Sequence, residues 1–254
     1  MIVEFVGLMG AGKTTLHERA VRRLESAGRP FRTPRTVAGA DGSRQDAPIA
    51  SSNGSHLPLA RLRRLVCRMR ASWRSRRLVA LAVRHLFGSG RPYGDTLKGL
   101  RWFLTDLGNH WSARLTVPSD HVVLLDEGIV QRMFNIFVHG GGRIDLAGIK
   151  AYARALPAPD VLIYLMVSSD VAMHRTQMRS GGLSQRFRGL THTQLQGVFA
   201  DAARALDVLV NEIRKSAPHP LIVVIETSDL ERARQELSAR LDAILTVGEV
   251  PTPI

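Results

Sequence analysis

Residues 7–14 read Gly-Leu-Met-Gly-Ala-Gly-Lys-Thr, a match to the phosphate-binding pattern Gly-x-x-x-x-Gly-Lys-Ser/Thr. Before the match, residues 2–6 read as a short buried strand. After it, residues 14–27 have the apolar spacing of a helix that ends at Gly28. The motif requires this context, because its N–H groups wrap around phosphate oxygens where a strand turns into a helix N-terminus. The sequence therefore predicts a nucleoside triphosphate site near the start of the chain.

Each part of this loop has a chemical role. Its glycines let backbone N–H groups approach phosphate, Lys13 is expected to reach the β- and γ-phosphates, and the Thr14 hydroxyl is expected to bind Mg²⁺. The predicted nucleotide-binding residues of the loop are Gly7, Gly10, Ala11, Gly12, Lys13, Thr14 and Thr15.

A second apolar stretch, residues 122–125, runs into Asp126, Glu127 and Gly128. An acid at the end of a neighbouring strand can hold Mg²⁺ opposite the phosphate loop, and we expect Asp126 to do so. Glu127 is expected to polarise a water, to accept the proton of an acceptor hydroxyl, or to support another side chain of the site. Arg132, one helical turn beyond Gly128, is expected to hold the acceptor.

Short apolar strands alternate with helices along the rest of the chain, with strands at 161–167 and 221–225 and a closing helix over 230–247. Asp145 and Asp170 are expected to cap two of the helices. The pattern predicts an α/β protein whose mostly parallel sheet has helices on both faces. The 254 residues suit one domain, with a core over 1–28 and 119–247 and a helical basic insertion over 29–118. Within the insertion, apolar spacing predicts a long basic helix over 59–88 with Trp73 on its apolar stripe. It also predicts a second amphipathic helix with Leu97 and Leu115 on its apolar face.

The composition excludes several other classes of protein. Cys67 is the only cysteine, which excludes a disulfide-stapled secreted domain. No apolar run approaches the length of a membrane span, and the chain opens without the basic start of a signal peptide. We therefore expect a cytoplasmic protein with no transmembrane segment. The sequence leaves open whether the protein forms a homodimer.

The formal net charge of +13 comes from one part of the chain. Between Arg19 and Arg84 there are sixteen arginines and three acids, whereas the other residues carry equal numbers of bases and acids. One interpretation is a solvated helix face in an arginine-preferring chain, and the other is a surface for an anionic partner. We favour an anionic small-molecule acceptor over nucleic acid, since the arginines begin just beyond the phosphate loop.

Two classes of nucleotide-binding protein do not fit the sequence. A Ras-like GTPase should carry Asn/Thr-Lys-x-Asp, and none of the four lysines has Asp two residues later. Residues 180–186 imitate the Ser-Gly-Gly-x-x-Gln-Arg signature of transporter ATPases. In those proteins, however, the signature precedes the acidic strand, and here it follows Asp126 by more than fifty residues.

Arginines surround the glycine pair at 181–182, on a segment that could close over bound phosphates. A closing loop that carries arginine would neutralise the charge that develops on a transferred phosphoryl group and would exclude water. The arginines of this segment and its approach are Arg175, Arg179, Arg186 and Arg188.

With these arginines, residues 7–15, 122–126 and 159–167 make the sequence similar to the P-loop kinases of the nucleoside and nucleotide kinase group, most like thymidylate kinase. The resemblance implies a P-loop NTPase fold with a five-stranded parallel core, ATP as donor, Mg²⁺ and a mobile lid. It places Arg175 and Arg179 at the entry of the lid and Arg186 within it.

The resemblance also implies that the loop after the last strand, at Thr227 and Ser228, lies against adenine. The Asp-Arg-aromatic motif of thymidylate kinases is replaced here by Asp126-Glu127-Gly128, so the resemblance does not identify the acceptor.

The sequence therefore favours a kinase that transfers the γ-phosphoryl group of ATP to a small acceptor such as a nucleoside, nucleotide, sugar or antibiotic. Two alternatives stay open. One is an ATPase that couples hydrolysis to the binding of a polyanion or an anionic membrane surface, and the other is a nucleotide sensor without catalysis.

Overall fold

The computed structural model describes residues 1–33, 71–90, 92–138, 144–179, 187–216 and 220–247. The strands are β1 (Ile2–Gly7), β2 (Phe31–Arg32), β3 (Val122–Leu125), β4 (Val161–Met166) and β5 (Leu221–Glu226). The helices are α1 (Lys13–Ser26), α2 (Arg76–Gly88), α3 (Tyr93–Thr116), α4 (Met133–Phe137), α5 (Leu146–Ala155), α6 (Ser169–Gln177), α7 (His192–Lys215) and α8 (Leu230–Val247).

The five described strands form one sheet in the order β2-β3-β1-β4-β5, and every neighbouring pair is parallel. Strand β1 lies at the centre, with Glu4 beside Leu125 of β3 and Gly7 beside Leu165 of β4. Ligands of open parallel sheets bind beyond the carboxyl ends of the strands, where neighbouring connections diverge. The loop after β1 and the segment after β3 meet at this edge. The topology therefore brings the predicted phosphate-binding loop close to the predicted acidic segment.

Helices cover both faces of the sheet, since all six residues of β1 are buried although their side chains alternate between the faces. Helix α1 packs Leu16, Ala20 and Leu24 inward, as its sequence spacing predicts. Gly28 follows the helix with a positive φ of 61° and ends it. The predicted α/β class, the parallel five-stranded sheet and the helices on both faces are confirmed.

Two parts of the predicted helix pattern are wrong in detail. Trp73 was expected on an apolar stripe but is 73% exposed, with Arg76 stacked over its ring. Helix α3 was expected to bury Leu97 and Leu115, and both are more than 40% exposed. The residues that α3 buries instead are Thr96, Gly99, Phe103, Leu107, Gly108, His110 and Ala113. Apolar residues surround much of this helix, so the spacing alone does not choose the face that packs.

Of the two predicted helix caps, one is confirmed and the other is wrong. Asp145 caps α5 as predicted, because its side chain accepts the N–H of Gly148. The prediction for Asp170 is wrong: Ser168 caps α6 by accepting the N–H of Val171, and Asp170 lies in the first turn. An acid in the first turn still interacts favourably with the helix dipole. An aspartate near a helix start therefore fits either the N-cap or the first turn.

The predicted basic insertion lies partly outside the described residues, which omit 34–70. Its described helices, α2 and α3, bury Leu78, Leu86 and Phe103 in the same apolar core as the sheet. The division of the chain into core and insertion stays a prediction. Among the described helices, none is long and apolar enough to cross a membrane.

Helix α7 begins with a capping box: Thr191 accepts the N–H of Gln194, and the Gln194 side chain accepts the N–H of Thr191. We predict that Thr191→Ala lowers the free energy of unfolding by about 1 kcal/mol, because one N–H at the helix start loses its acceptor. Urea denaturation measures the change. Thr191→Ser, which keeps the hydroxyl, is the control, and an equal loss in both variants would contradict the role of the cap.

Candidate active site

The loop after β1 has a backbone that only glycine can follow at two positions. Gly10 and Gly12 adopt φ values of 84° and 86°, in the left-handed region. A Cβ on Gly10 would lie 2.2 Å from the carbonyl oxygen of Ala172, and one on Gly12 would lie 2.7 Å from the side chain of Leu230. The loop is therefore packed tightly against α6 and α8 while it turns into α1.

Lys13 lies over this loop and is only 9% exposed. Its ammonium group donates to the carbonyl oxygens of Gly7 and Leu8, both at 3.0 Å. Burying an ammonium is costly unless it is well paired, so the loop holds a concentrated positive charge beside its own backbone. This arrangement fits a site for phosphate oxygens, which would bind both the ammonium and the N–H groups at the start of α1.

Asp126 follows β3 and lies near the start of α1. Its carboxylate raises the pKa of His17, one turn beyond Lys13, although burial is the larger effect and lowers that pKa overall. Thr14 is exposed at the same helix start. Mg²⁺ in nucleotide sites is held by one or two protein ligands together with phosphate oxygens and water. Thr14 and Asp126 offer a hydroxyl and a carboxylate oxygen, the ligand types that such a site uses, and their roles at Mg²⁺ stay predictions. No cluster of three ligating side chains occurs among the described residues.

Gln131 ties the segment after β3 to the phosphate loop. Its side-chain oxygen accepts the N–H of Gly7, and its side-chain nitrogen donates to the carbonyl oxygen of Gly7, both at 3.1 Å. Both hydrogen bonds are buried, so they are shielded from competition by water. The sequence analysis missed Gln131, because a glutamine five residues after Asp126 carries no motif.

Arg132 is paired with an acid that the sequence analysis did not single out. Its Nε donates to the carboxylate of Asp106 on α3, and the two side chains are 15% and 12% exposed. The guanidinium also lies 5.7 Å from the ring centre of Trp102 and 3.7 Å from the carboxylate of Glu127. Burial raises the pKa of Asp106, and the charge of Arg132 opposes that rise.

These contacts direct Arg132 toward α3, so its predicted role of holding the acceptor stays a prediction. Glu127 keeps about half of its side chain accessible, at 49%, and lies at the mouth of a neighbouring pocket.

The pocket lies between the phosphate loop, the segment after β3 and helix α7. It is mostly apolar, and three of its side chains are phenylalanines. Lys13 and Glu127 are its charged members, and Gln131 and Asn135 add amide groups. The lining residues are Leu8, Met9, Lys13, Glu127, Gln131, Phe134, Asn135, Val138, Phe187, Val198, Phe199 and Ala202.

Arg175 on α6 is bound to the loop after β5. Its two terminal nitrogens donate to the carbonyl oxygens of Thr227 and Ser228, both at 2.7 Å. Thr227 is fully buried, and its N–H and hydroxyl both donate to the carbonyl oxygen of Met166. The loop expected to lie against adenine is thus held in one conformation from two sides.

The other predicted residues have different outcomes. Ala11 is buried within the phosphate loop, and Thr15 lines a charged cleft between α1 and α8. Arg179 is exposed just after α6, at the entry to residues 180–186. Arg186 and the glycine pair of the predicted lid lie outside the described residues. The catalytic roles of these arginines stay predictions.

None of three comparisons with known proteins identifies a family for this chain. No protein-family model matches the chain, and a search of curated proteins finds no match. Among solved structures, deoxyadenosine kinase from M. mycoides with products dCMP and a flexible dCDP bound is similar with a TM-score of 0.45 and 12% identity, covering 96% of this chain and 100% of that one.

The structure of that kinase with bound dATP gives a TM-score of 0.45 and 11% identity over 95% of this chain and all of its own. The structure with dCTP gives 0.42 and 10% over 96% and 100%. Structural similarity at this level does not identify the function of the chain.

We predict that Gly10→Ala removes nucleotide binding, because the new Cβ would meet the backbone of α6 and force the loop open. The measurement is the rise in Tm on adding MgATP, which should disappear. Gly28→Ala is the matched control: Gly28 also has a positive φ, but no atom of the described residues beyond its chain neighbours lies within 4 Å of an added Cβ. It should lose about 1 kcal/mol of stability and keep the MgATP-induced rise. Equal behaviour of the two variants would contradict the assignment of the loop.

Proposed function

We propose that the chain is a P-loop kinase, with a core like that of thymidylate kinase, that transfers the γ-phosphoryl group of ATP to a hydroxyl group of a small acceptor. The observation that carries the proposal is the pocket beside the phosphate loop. Lys13 and Glu127 line the same cavity as Phe134 and Phe199. A group for phosphate and a candidate proton acceptor therefore line one partly open pocket.

An ATPase that only hydrolyses nucleotide needs room for a water at this place. Here the space is lined mainly by apolar side chains from three separate elements. Apolar pockets with a few convergent polar groups are the usual form of small-molecule sites. The arrangement therefore supports transfer to a bound acceptor rather than to water.

The chemistry would follow from positioning and charge. Glu127 would take the proton of the acceptor hydroxyl as the oxygen attacks the γ-phosphorus, and ADP would leave with the electrons of the broken P–O bond. Lys13 would neutralise charge on the phosphate oxygens. Bound Mg²⁺, held by Thr14 and Asp126, would supply further neutralisation. The Arg175 contacts to Thr227 and Ser228 would keep the adenine side of the site in place.

The pocket also favours one part of the range of acceptors. Phe187 and Phe199 lie with ring centres 6.2 Å apart, and Phe134 lines the same cavity. Aromatic side chains stack on flat rings, and the amides of Gln131 and Asn135 can hydrogen bond to the edge of such a ring. We therefore propose an acceptor that carries a planar ring, such as a nucleoside or nucleotide, ahead of a simple sugar.

The identity of the acceptor can be tested with purified protein, MgATP and a panel of nucleosides, nucleotides, sugars and aminoglycosides. We expect one ring-bearing acceptor to raise ATP consumption strongly and to gain the mass of one phosphoryl group. Stimulation by polyanions or anionic vesicles, without a phosphorylated product, would instead establish the ATPase alternative.

We predict that Lys13→Ala abolishes turnover, because the phosphate charge loses its main counter-charge at the loop. Retention of wild-type kcat by this variant would contradict the assignment of Lys13 to the phosphate-binding site. Phe199→Leu should raise the acceptor KM about fivefold and leave the KM for ATP unchanged, because it removes a stacking surface worth about 1 kcal/mol. Phe87→Leu is the control, since Phe87 is 48% exposed and lies outside the pocket.

The preference for an anionic acceptor has its own test. Charge reversal at Arg61, Arg64 and Arg68, which lie outside the described residues, should raise the acceptor KM if these side chains receive the negative charge. If the charge-reversal variant has the wild-type acceptor KM at both low and high salt, the arginines belong to a solvated surface instead.

A further inference from the structure

The central strand of the sheet carries a fully buried acid. Glu4 stands in the middle of β1, between Leu125 of β3 and Leu162 of β4, and none of its surface is exposed. A charge in such a place is costly unless it is paired and fully hydrogen bonded. No part of the proposed phosphoryl transfer uses this side chain directly.

The carboxyl group of Glu4 lies under the segment that follows β3. Its Oε1 accepts the N–H groups of Val130 and Gln131, at 2.7 and 3.2 Å. A Cβ added to Gly128 would lie 2.5 Å from the carboxyl carbon, so the backbone of the segment rests directly on the acid. Its Oε2 has no hydrogen-bond partner among the described residues.

Among the described residues, three ionisable groups interact electrostatically with Glu4 from the elements packed against it: Arg132 beyond β3, Asp106 on α3 and Tyr152 on α5. Arg132 is bound to Asp106, and the hydroxyl of Tyr152 donates to the carbonyl oxygen of Ile129. Burial is the largest effect and raises the pKa of Glu4 to about 8, which the two N–H bonds only partly offset.

We propose that Glu4 is a positioning residue, which as a neutral carboxylic acid holds residues 128–132 against β1 and so sets Glu127 and Gln131 relative to the phosphate loop. The geometry supports the proposal because three buried side chains hold this short segment in place through hydrogen bonds. Glu4 holds two of its N–H groups, Tyr152 holds a carbonyl oxygen, and the Gln131 side chain holds both polar groups of Gly7.

Ionisation of Glu4 would place a negative charge on Oε2, where no donor lies among the described residues. The segment would then have to move or admit water. Because the pKa of Glu4 is raised in the folded state, the stability that its neutral form provides is complete below the ordinary value near 4.5. It is lost progressively as the pH rises to about 8.

The first experiment measures Tm from pH 5 to pH 9 for the wild type and Glu4→Gln. Glutamine keeps the carbonyl acceptor and places a neutral amide at Oε2. We expect the Tm of Glu4→Gln minus that of the wild type to rise with pH by at least about 5 °C. A constant deficit for Glu4→Gln at every pH would mean that Glu4 is ionised throughout, and would overturn the proposal.

Glu212→Gln is the matched control for this measurement. The side chain of Glu212 on α7 is only 7% exposed, but a hydrogen bond from Arg154 lowers its pKa. Its contribution to stability is present above the pKa of the unfolded chain and is lost only as the pH falls through the lowered value. This variant should therefore show a constant loss of Tm between pH 6 and pH 9.

The second experiment measures positioning without relying on catalysis. Glu4→Leu removes the acceptor of the Val130 and Gln131 N–H groups, so their amide hydrogen exchange should become at least about tenfold faster than in Glu4→Gln at the same pH. The amide of Ile163 in β4 serves as an internal reference. Equal exchange of Val130 and Gln131 in the two variants would overturn the positioning role.

The third experiment rests on the proposed phosphoryl transfer. The kcat/KM for the acceptor should fall above pH 8 in the wild type and not in Glu4→Gln, while ATP binding is retained. An identical alkaline fall in both enzymes would contradict the role of Glu4 in the reaction. A wild type that phosphorylates no acceptor would count against the proposed function, and the Tm and exchange measurements would still decide the proposal for Glu4.

Discussion

The double hydrogen bond between the side chain of Gln131 and the backbone of Gly7 connects the two halves of the candidate site. Gly7 is the last residue of β1 and the first of the phosphate loop, and Gln131 belongs to the segment that carries Glu127 and Arg132. A buried amide that both accepts and donates fixes distance and direction at once. In the proposed reaction, the position of an acceptor relative to the γ-phosphate would depend on this contact. Glu4 and Tyr152 hold the same segment through hydrogen bonds to its backbone.

Three positively charged side chains around the site are held by local hydrogen bonds or ion pairs. Lys13 lies on two carbonyl oxygens of its own loop, Arg132 on Asp106, and Arg175 on the two carbonyl oxygens of residues 227–228. Each pair also joins separate stretches of chain or closes a tight loop. The charges therefore stabilise the shape of the cleft at the same time as they set its potential.

The parts of the structure that follow from local spacing were predictable. The strands β1, β3, β4 and β5 and the helix over 230–247 lie where the apolar patterns place them, because burial on a sheet or one helix face leaves a regular signal. The exposed Trp73 and the rotated face of α3 were not, since both depend on which neighbour covers an apolar helix. Asp170 shows the same limit at short range: two residues at one helix start satisfy the capping pattern, and only the backbone geometry selects Ser168.

By itself, the sequence determined the phosphate loop and the Asp126 strand, because phosphate binding needs consecutive N–H groups, glycines and one lysine at a set spacing. It also determined the parallel α/β class, through the alternation of strands and helices. Only the tertiary structure decided the rest of the site: the partnership of Arg132 with Asp106, the link from Gln131 to Gly7, the phenylalanine-lined pocket and the buried Glu4 under residues 128–132. The hydrogen bonds among these contacts join residues from 26 to 127 positions apart, and long-range contacts of single side chains leave no periodic pattern along the chain.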